Sequence, residues 1–181
     1  MKQSEVLQEL SEYVEQHLNF AQTLKSKKVS TLKHQPKEGA WNALQCIEHL
    51  NRYGEFYLDE CGQKINQAKK VQGVREFKPG FWGKLFTKIM LPKKNMIKMK
   101  TFADKNPEAE NMDKEVLDTF INQQKAWLSL LDKAKQVNLN KNNCSLTLPL
   151  LKINLGSTLR FNLYHNERHV VQAQKAIESY T

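Results

Sequence analysis

The chain has 181 residues, of which 40% are hydrophobic and 26% charged, with only 7 glycines and 5 prolines. That balance excludes a long disordered tail and a glycine-rich, loop-dominated β fold. The formal net charge of +9 fits a nucleic acid, an anionic membrane or an anionic ligand as partner, or nothing beyond solubility.

No stretch is apolar for long enough to cross a bilayer. The opening MKQSEVLQELSEYVEQH carries acidic residues throughout and lacks the apolar core of a secretory signal. Cys46, Cys61 and Cys144 are odd in number and scattered, which suits buried, reduced thiols rather than a disulfide framework. The expectation is one cytosolic domain over residues 1–181.

The first predicted helix runs from Ser4, its expected cap, to about Ser26. Val6, Leu10, Val14, Leu18, Ala21 and Leu24 recur along it at helical spacing. Pro36 and Gly39 in HQPKEGAW break the pattern and mark a connection. The second helix runs from about Trp41 to Lys69. Ala43, Ile47, Leu50, Gly54, Tyr57, Leu58, Cys61 and Ile65 form its stripe, which Tyr53 and Phe56 broaden, and His49 falls at its edge.

From about Lys70 to Asn111 the composition changes. Ten lysines and arginines up to Lys105 stand against Glu76 and Asp104, interleaved with Phe77, Phe81, Trp82, Phe86 and several methionines. This reads as a basic excursion with one or two short helices. A third long helix follows from about Asp113, a good N-cap, to Lys135. VNLNKNNC reads as a turn and SLTLPLLKIN as an extended lead-in without a strand partner. The last helix spans about Leu155 to Ser179. Four long helices and no credible sheet predict an all-α four-helix bundle.

The last helix carries the chemistry. His165 and His169, at i and i+4, share one face with Leu159, Asn162, Gln172, Ala173 and Ala176. A core-facing stripe with two histidines, an asparagine and a glutamine needs a reason, because each unpaired polar group costs about 1–3 kcal/mol to bury. A metal site supplies one. Three neutral imidazoles with an open position form a catalytic type of zinc site, and His49 is the natural third ligand. His17, amid solvent-type neighbours, and His34, in a connection, are weaker candidates. The zincin pattern is missing, since the last helix reads HNERH with no Glu directly after the first His.

WNALQCIEHLNRYGEFYL and LGSTLRFNLYHNERHVVQAQKA resemble the second-helix and last-helix motifs of the DinB-like superfamily. In these a Trp precedes a His-Leu pair, and the last helix carries H-x-x-R-H-x-x-Q. The likeness extends from about residue 5 to 178. It implies an up-down-down-up bundle and a three-histidine metal site matching His49, His165 and His169, with zinc or nickel as the divalent ion. It further implies a metal-dependent enzyme, either a transferase using a low-molecular-weight thiol such as bacillithiol or a hydrolase, acting on a small-molecule substrate. The bundles of this family are often dimers. The alternative is a non-catalytic metal- or ligand-binding bundle, or a stress-linked scaffold.

Gln172 and Arg168 match the same motif. Gln172 is expected to orient a ligand or water, and Arg168 to bind an anionic group or to pair with a neighbouring helix. Asn162 and Tyr53 are further candidates beside the site. Trp41 reads as packing at the bundle end, and Glu48 as a solvated or capping carboxylate. For the basic excursion three readings stand: a solvated cover over the bundle, a mouth attracting anionic substrate, or, less favoured, a membrane-surface segment in GFWGKLFTKIMLPKK. No helix-turn-helix or RNA module is present, so specific nucleic-acid binding is not expected.

Overall fold

The computed structural model describes residues 1–73, 75–91, 101–108, 110–148 and 150–180. The sequence-predicted features at Pro92, Lys93, Lys94, Met96, Lys98, Met99, Lys100 and Pro149 lie outside the described residues. The helices are α1 (Gln3–Ser26), the single-turn α2 (Val29–Leu32), α3 (Ala43–Gln67), α4 (Phe81–Met90), α5 (Glu115–Ala134) and α6 (Leu155–Glu178), with a 3₁₀ turn at Ala103–Lys105. Four of them, α1, α3, α5 and α6, are the long helices of the sequence reading, with ends within about two residues of those expected.

Side-chain contacts fix their directions. Gln3 donates to the Val137 carbonyl at one end of α1, and Lys25 reaches Asp118 at the other, so α1 and α5 are antiparallel. Glu9 meets Tyr164 and His17 meets Glu167, so α1 and α6 are parallel. Gln123 of α5 reaches the Asn51 carbonyl of α3, and Leu130 lies by Gly62, so these two also run together. The bundle is therefore up-down-down-up. Parallel neighbours force the α3–α5 connection to return along the bundle, about 35 Å for helices of this length, which accounts for the long basic excursion.

Two expected helix starts move. Lys2, not Ser4, is the N-cap of α1, and the Glu5 carboxylate accepts from its backbone N–H at 3.0 Å. Lys114, not Asp113, precedes α5, while the Asp113 carboxylate accepts from the Lys114 N–H. The lead-in to α6 also differs. Lys152–Asn154 forms strand β2, paired antiparallel with β1 (Asn143–Ser145) in a two-stranded ribbon. The partner strand, NCS, was hidden inside a polar run that reads as turn. Leu150, at φ 62°, takes the left-handed conformation within the connecting loop.

The apolar core divides into two clusters. One, toward the start of α1 and α6, holds Leu10, Val14, Tyr57, Trp127, Leu159 and Leu163. The other, toward their ends, holds Ala21, Leu24, Ile47, Leu50, Phe120, Val170 and Ala173. Between them every long helix contributes buried polar side chains: His17 from α1, His49 and Asn51 from α3, Gln123 and Gln124 from α5, and Asn162, His165, Asn166 and Arg168 from α6. A polar belt crosses the bundle at one level. Gly54 lets the belt form there, because a Cβ at that position would collide with the Gln123 amide.

The three cysteines are buried free thiols. No helix among the described residues is long and apolar enough to cross a membrane.

Candidate metal centre

His49, His165 and His169 offer ligand atoms that all lie within 4.8 Å of one another. Two come from α6, one turn apart. The third comes from α3, the antiparallel neighbour, so the centre exists only where those two helices pack.

Local chemistry fixes α3 and its loop together. The Asn42 side chain accepts from the Gln45 N–H at 2.9 Å, and the Gln45 side-chain oxygen accepts from the Asn42 N–H, closing a capping box. The other end of the Gln45 amide donates to the Glu108 carbonyl at 2.9 Å. Arg52 ties Glu48 on its own helix to Glu110 and to the Asn106 carbonyl. The returning end of the excursion is thus fastened along α3, and the Lys105 carbonyl comes to rest 2.7 Å from His49 Nδ1.

That contact sets the tautomer. A carbonyl only accepts, so Nδ1 of His49 carries the proton and Nε2 presents a lone pair. His169 repeats the pattern: its Nδ1 meets Gln172 Oε1 at 2.9 Å. His49 Nε2 faces His165 Nε2 at 3.2 Å, while His165 Nδ1 is buried with no protein hydrogen-bond partner among the described residues. If His165 is protonated on Nδ1, two lone pairs point at each other; if on Nε2, Nδ1 becomes a bare buried acceptor. A cation among the three nitrogens removes the lone-pair clash, and the remaining ring nitrogens of His49 and His169 are already held by outer oxygen acceptors, as metal-bound imidazoles usually are. The donor set fits a borderline divalent ion such as zinc or nickel.

Electrostatics point the same way. Burial pushes the His49 imidazole down to about 4, opposed only in part by its bond to the Lys105 carbonyl. Burial also drives His165 and His169 well below the ordinary histidine value, and repulsion among the three rings adds to it. All three are therefore neutral near pH 7, the form that ligates a metal.

Aromatic rings wall the centre. Trp41 lies 4.8 Å from the His49 ring and 5.8 Å from that of His169. Tyr53 lies 4.9 Å from His49 and 4.8 Å from His165. Phe161 stacks on His165 at 6.4 Å. Lys105 places its ammonium 6.0 Å above the Tyr53 ring.

Of the candidates beside the triad, Gln172 touches His169, and Tyr53 packs on two of the rings. Asn162 is fully buried one turn before His165, with both amide atoms lacking a protein partner among the described residues. Arg168 is buried and donates to the Ile89 carbonyl at the end of α4. Burial lowers its guanidinium from the usual value.

Three readings change. Trp41 does more than close the bundle end, because it covers the imidazoles. Glu48 is half-buried and pairs with Arg52 rather than standing in solvent. His17 is fully buried, not solvent-facing, and bonds Glu167 at 2.9 Å. The Lys105 carbonyl was beyond sequence reasoning, since no residue type marks a backbone acceptor; Trp41 carried a signal, its place in the second-helix motif.

Residues 12–173 match the family profile described as the DinB superfamily. Comparison with curated proteins finds no match, and neither does comparison with solved structures.

Proposed function

The chain belongs to the DinB superfamily, and on that footing we propose that it is a metal-dependent enzyme. His49, His165 and His169 hold one divalent ion, zinc or nickel. The reaction is transfer of a low-molecular-weight thiol to an electrophilic carbon, or hydrolysis of a small substrate. The observation that carries this reading is the convergence of the three imidazoles, neutral and with two of their Nδ1 atoms already bound outward.

A divalent ion held by His49, His165 and His169 would supply Lewis acidity, which would lower the pKa of a thiol or a water toward neutral pH. The chain's own residues do the rest. The Lys105 carbonyl and Gln172 keep two rings turned inward. Trp41, Tyr53 and Phe161 exclude bulk water and give an apolar substrate a wall to lie against. Arg168 and Lys105 bring positive charge beside the rings and favour an anionic substrate or a carboxylated thiol. Tyr53 Oη is held in its protonated form by burial, with the Asp104 carboxylate adding to the effect, so it serves as a hydrogen-bond donor and not as a base.

Elemental analysis of untagged protein tests the first half of the proposal: one equivalent of zinc or nickel is expected, and none in His165→Ala. Thiol consumption with a model electrophile, and hydrolysis of activated esters, test the second. Metal without either turnover would place the chain with the non-catalytic binding bundles.

A further inference from the structure

Helix α4 is apolar on two sides. Its inner side lies on α6: Gly83, Thr87 and Met90 are buried, and Phe86 meets Phe161 with ring centroids 6.0 Å apart. Gly83 permits this approach, since a Cβ there would collide with the Ser157 side chain. Arg168 of α6 donates to the Ile89 carbonyl in the last turn. The helix is thus fixed to the bundle at both ends.

Its outer side is not covered by the described residues. Phe81 is 75% exposed, Trp82 50% and Leu85 38%. At 100° per residue Phe81, Leu85 and Trp82 share one outward stripe, with Phe81 and Trp82 in edge-to-face contact at 5.3 Å. Lys84 and Lys88 flank that stripe on the same helix, and both are exposed. Lys78, exposed just before the helix, is paired with Glu76 at 3.7 Å. No acidic residue occurs between Glu76 and Asp104.

We propose that the outer face of α4 docks on an anionic lipid surface. Phe and Trp would enter the boundary between headgroups and acyl chains, with the lysines at headgroup level. Charge decides the occupant. A second copy of the chain would bring Lys84 and Lys88 against their own equivalents in a two-fold contact, and like charges facing each other disfavour it. A nucleic acid would engage the lysines and stack bases on Phe81 and Trp82 but would leave Leu85 in water. An anionic bilayer satisfies both parts. The contact also orients the molecule: Trp82 stacks on Phe86 at 5.9 Å, Phe86 meets Phe161, and Phe161 stacks on His165. The three-histidine centre therefore lies directly behind the docking helix.

The test is co-sedimentation of the full chain with phosphatidylcholine vesicles, with and without phosphatidylglycerol. Binding is expected only to the anionic vesicles, with reversal in high salt and a blue shift of Trp82 fluorescence, since Trp127 is buried in the core and Trp41 lies against the imidazoles. The triple variant F81Q/W82Q/L85Q should lose about tenfold or more in partitioning, and K84E/K88E about tenfold. Both sets alter exposed side chains, so helical circular dichroism and bound metal should stay at wild-type level. Failure of the metal assignment would thus leave this test intact. Absence of anionic vesicle binding would overturn the proposal, as would binding that K84E/K88E abolishes but the apolar triple variant leaves unchanged. Concentration-dependent dimerisation lost in the triple variant, without vesicle binding, would assign the stripe to a second copy instead.

Discussion

The polar belt of this bundle contains two settings for buried histidine, and they are opposites. On the α1–α6 side His17 is fully buried and bonds the Glu167 carboxylate, so the imidazole has an acidic partner from the chain itself. On the α3–α6 side three imidazoles face one another, and among the described residues no carboxylate belongs to the cluster. The first setting has a carboxylate partner on Nε2, although Nδ1 of His17 is buried without a hydrogen-bond partner among the described residues. The second is a cluster with the geometry to hold a cation. Burial of a histidine thus says little about function; what the other buried groups supply decides it.

The largest expected effect separates the two directly. His165→Ala should abolish stoichiometric metal, and His17→Ala should leave it in place, as read by elemental analysis of folded protein. Loss of metal in both would erase the contrast.

Acid is the next means of breaking it. For metal-free protein the His49 value in the fold lies below its unfolded value of about 6.5, so the unfolded chain binds more protons at mildly acidic pH. The stability this neutral ring contributes is present above about pH 6.5 and falls away as the pH drops toward 4. The loss from His49 alone is about 3 kcal/mol. Denaturant midpoints across that range should fall, and His49→Gln should flatten the slope. Saturating zinc should hold the midpoints up until protons compete for the rings.

The paired histidine should respond through stability only. His17→Ala removes the partner of a largely buried carboxylate and should cost about 2–3 kcal/mol in urea unfolding, with metal affinity unchanged. The smallest effect sharpens the site itself. Gln172→Ala frees the His169 ring without removing a ligand, and metal affinity should fall by about tenfold to a hundredfold in a competition titration.

Much of this was legible along the chain, and the reason lies in local chemistry. Helical periodicity in α1, α3, α5 and α6 reports burial on one face, a property each segment carries in its own residues. The i, i+4 spacing of His165 and His169 fixes their shared face before any tertiary contact forms. The family match over residues 12–173 contains the whole second-helix motif and the H-x-x-R-H-x-x-Q core of the last-helix motif, His165 to Gln172.

What escaped the sequence depends on partners distant in the chain. NCS reads as turn because a three-residue strand has no pattern of its own; its pairing with KIN makes it one. His17 looks solvent-facing among Glu15, Gln16 and Asn19, and only the approach of Glu167, 150 residues away, makes it a core residue. The Lys105 carbonyl is invisible for the same reason. The sequence by itself determined the helices and the residues able to ligate. The tertiary structure decided which imidazoles come close enough to share a cation, which is shut against a carboxylate, and which apolar face stays outside, because each of those outcomes is set by distances between groups that the chain's order does not specify.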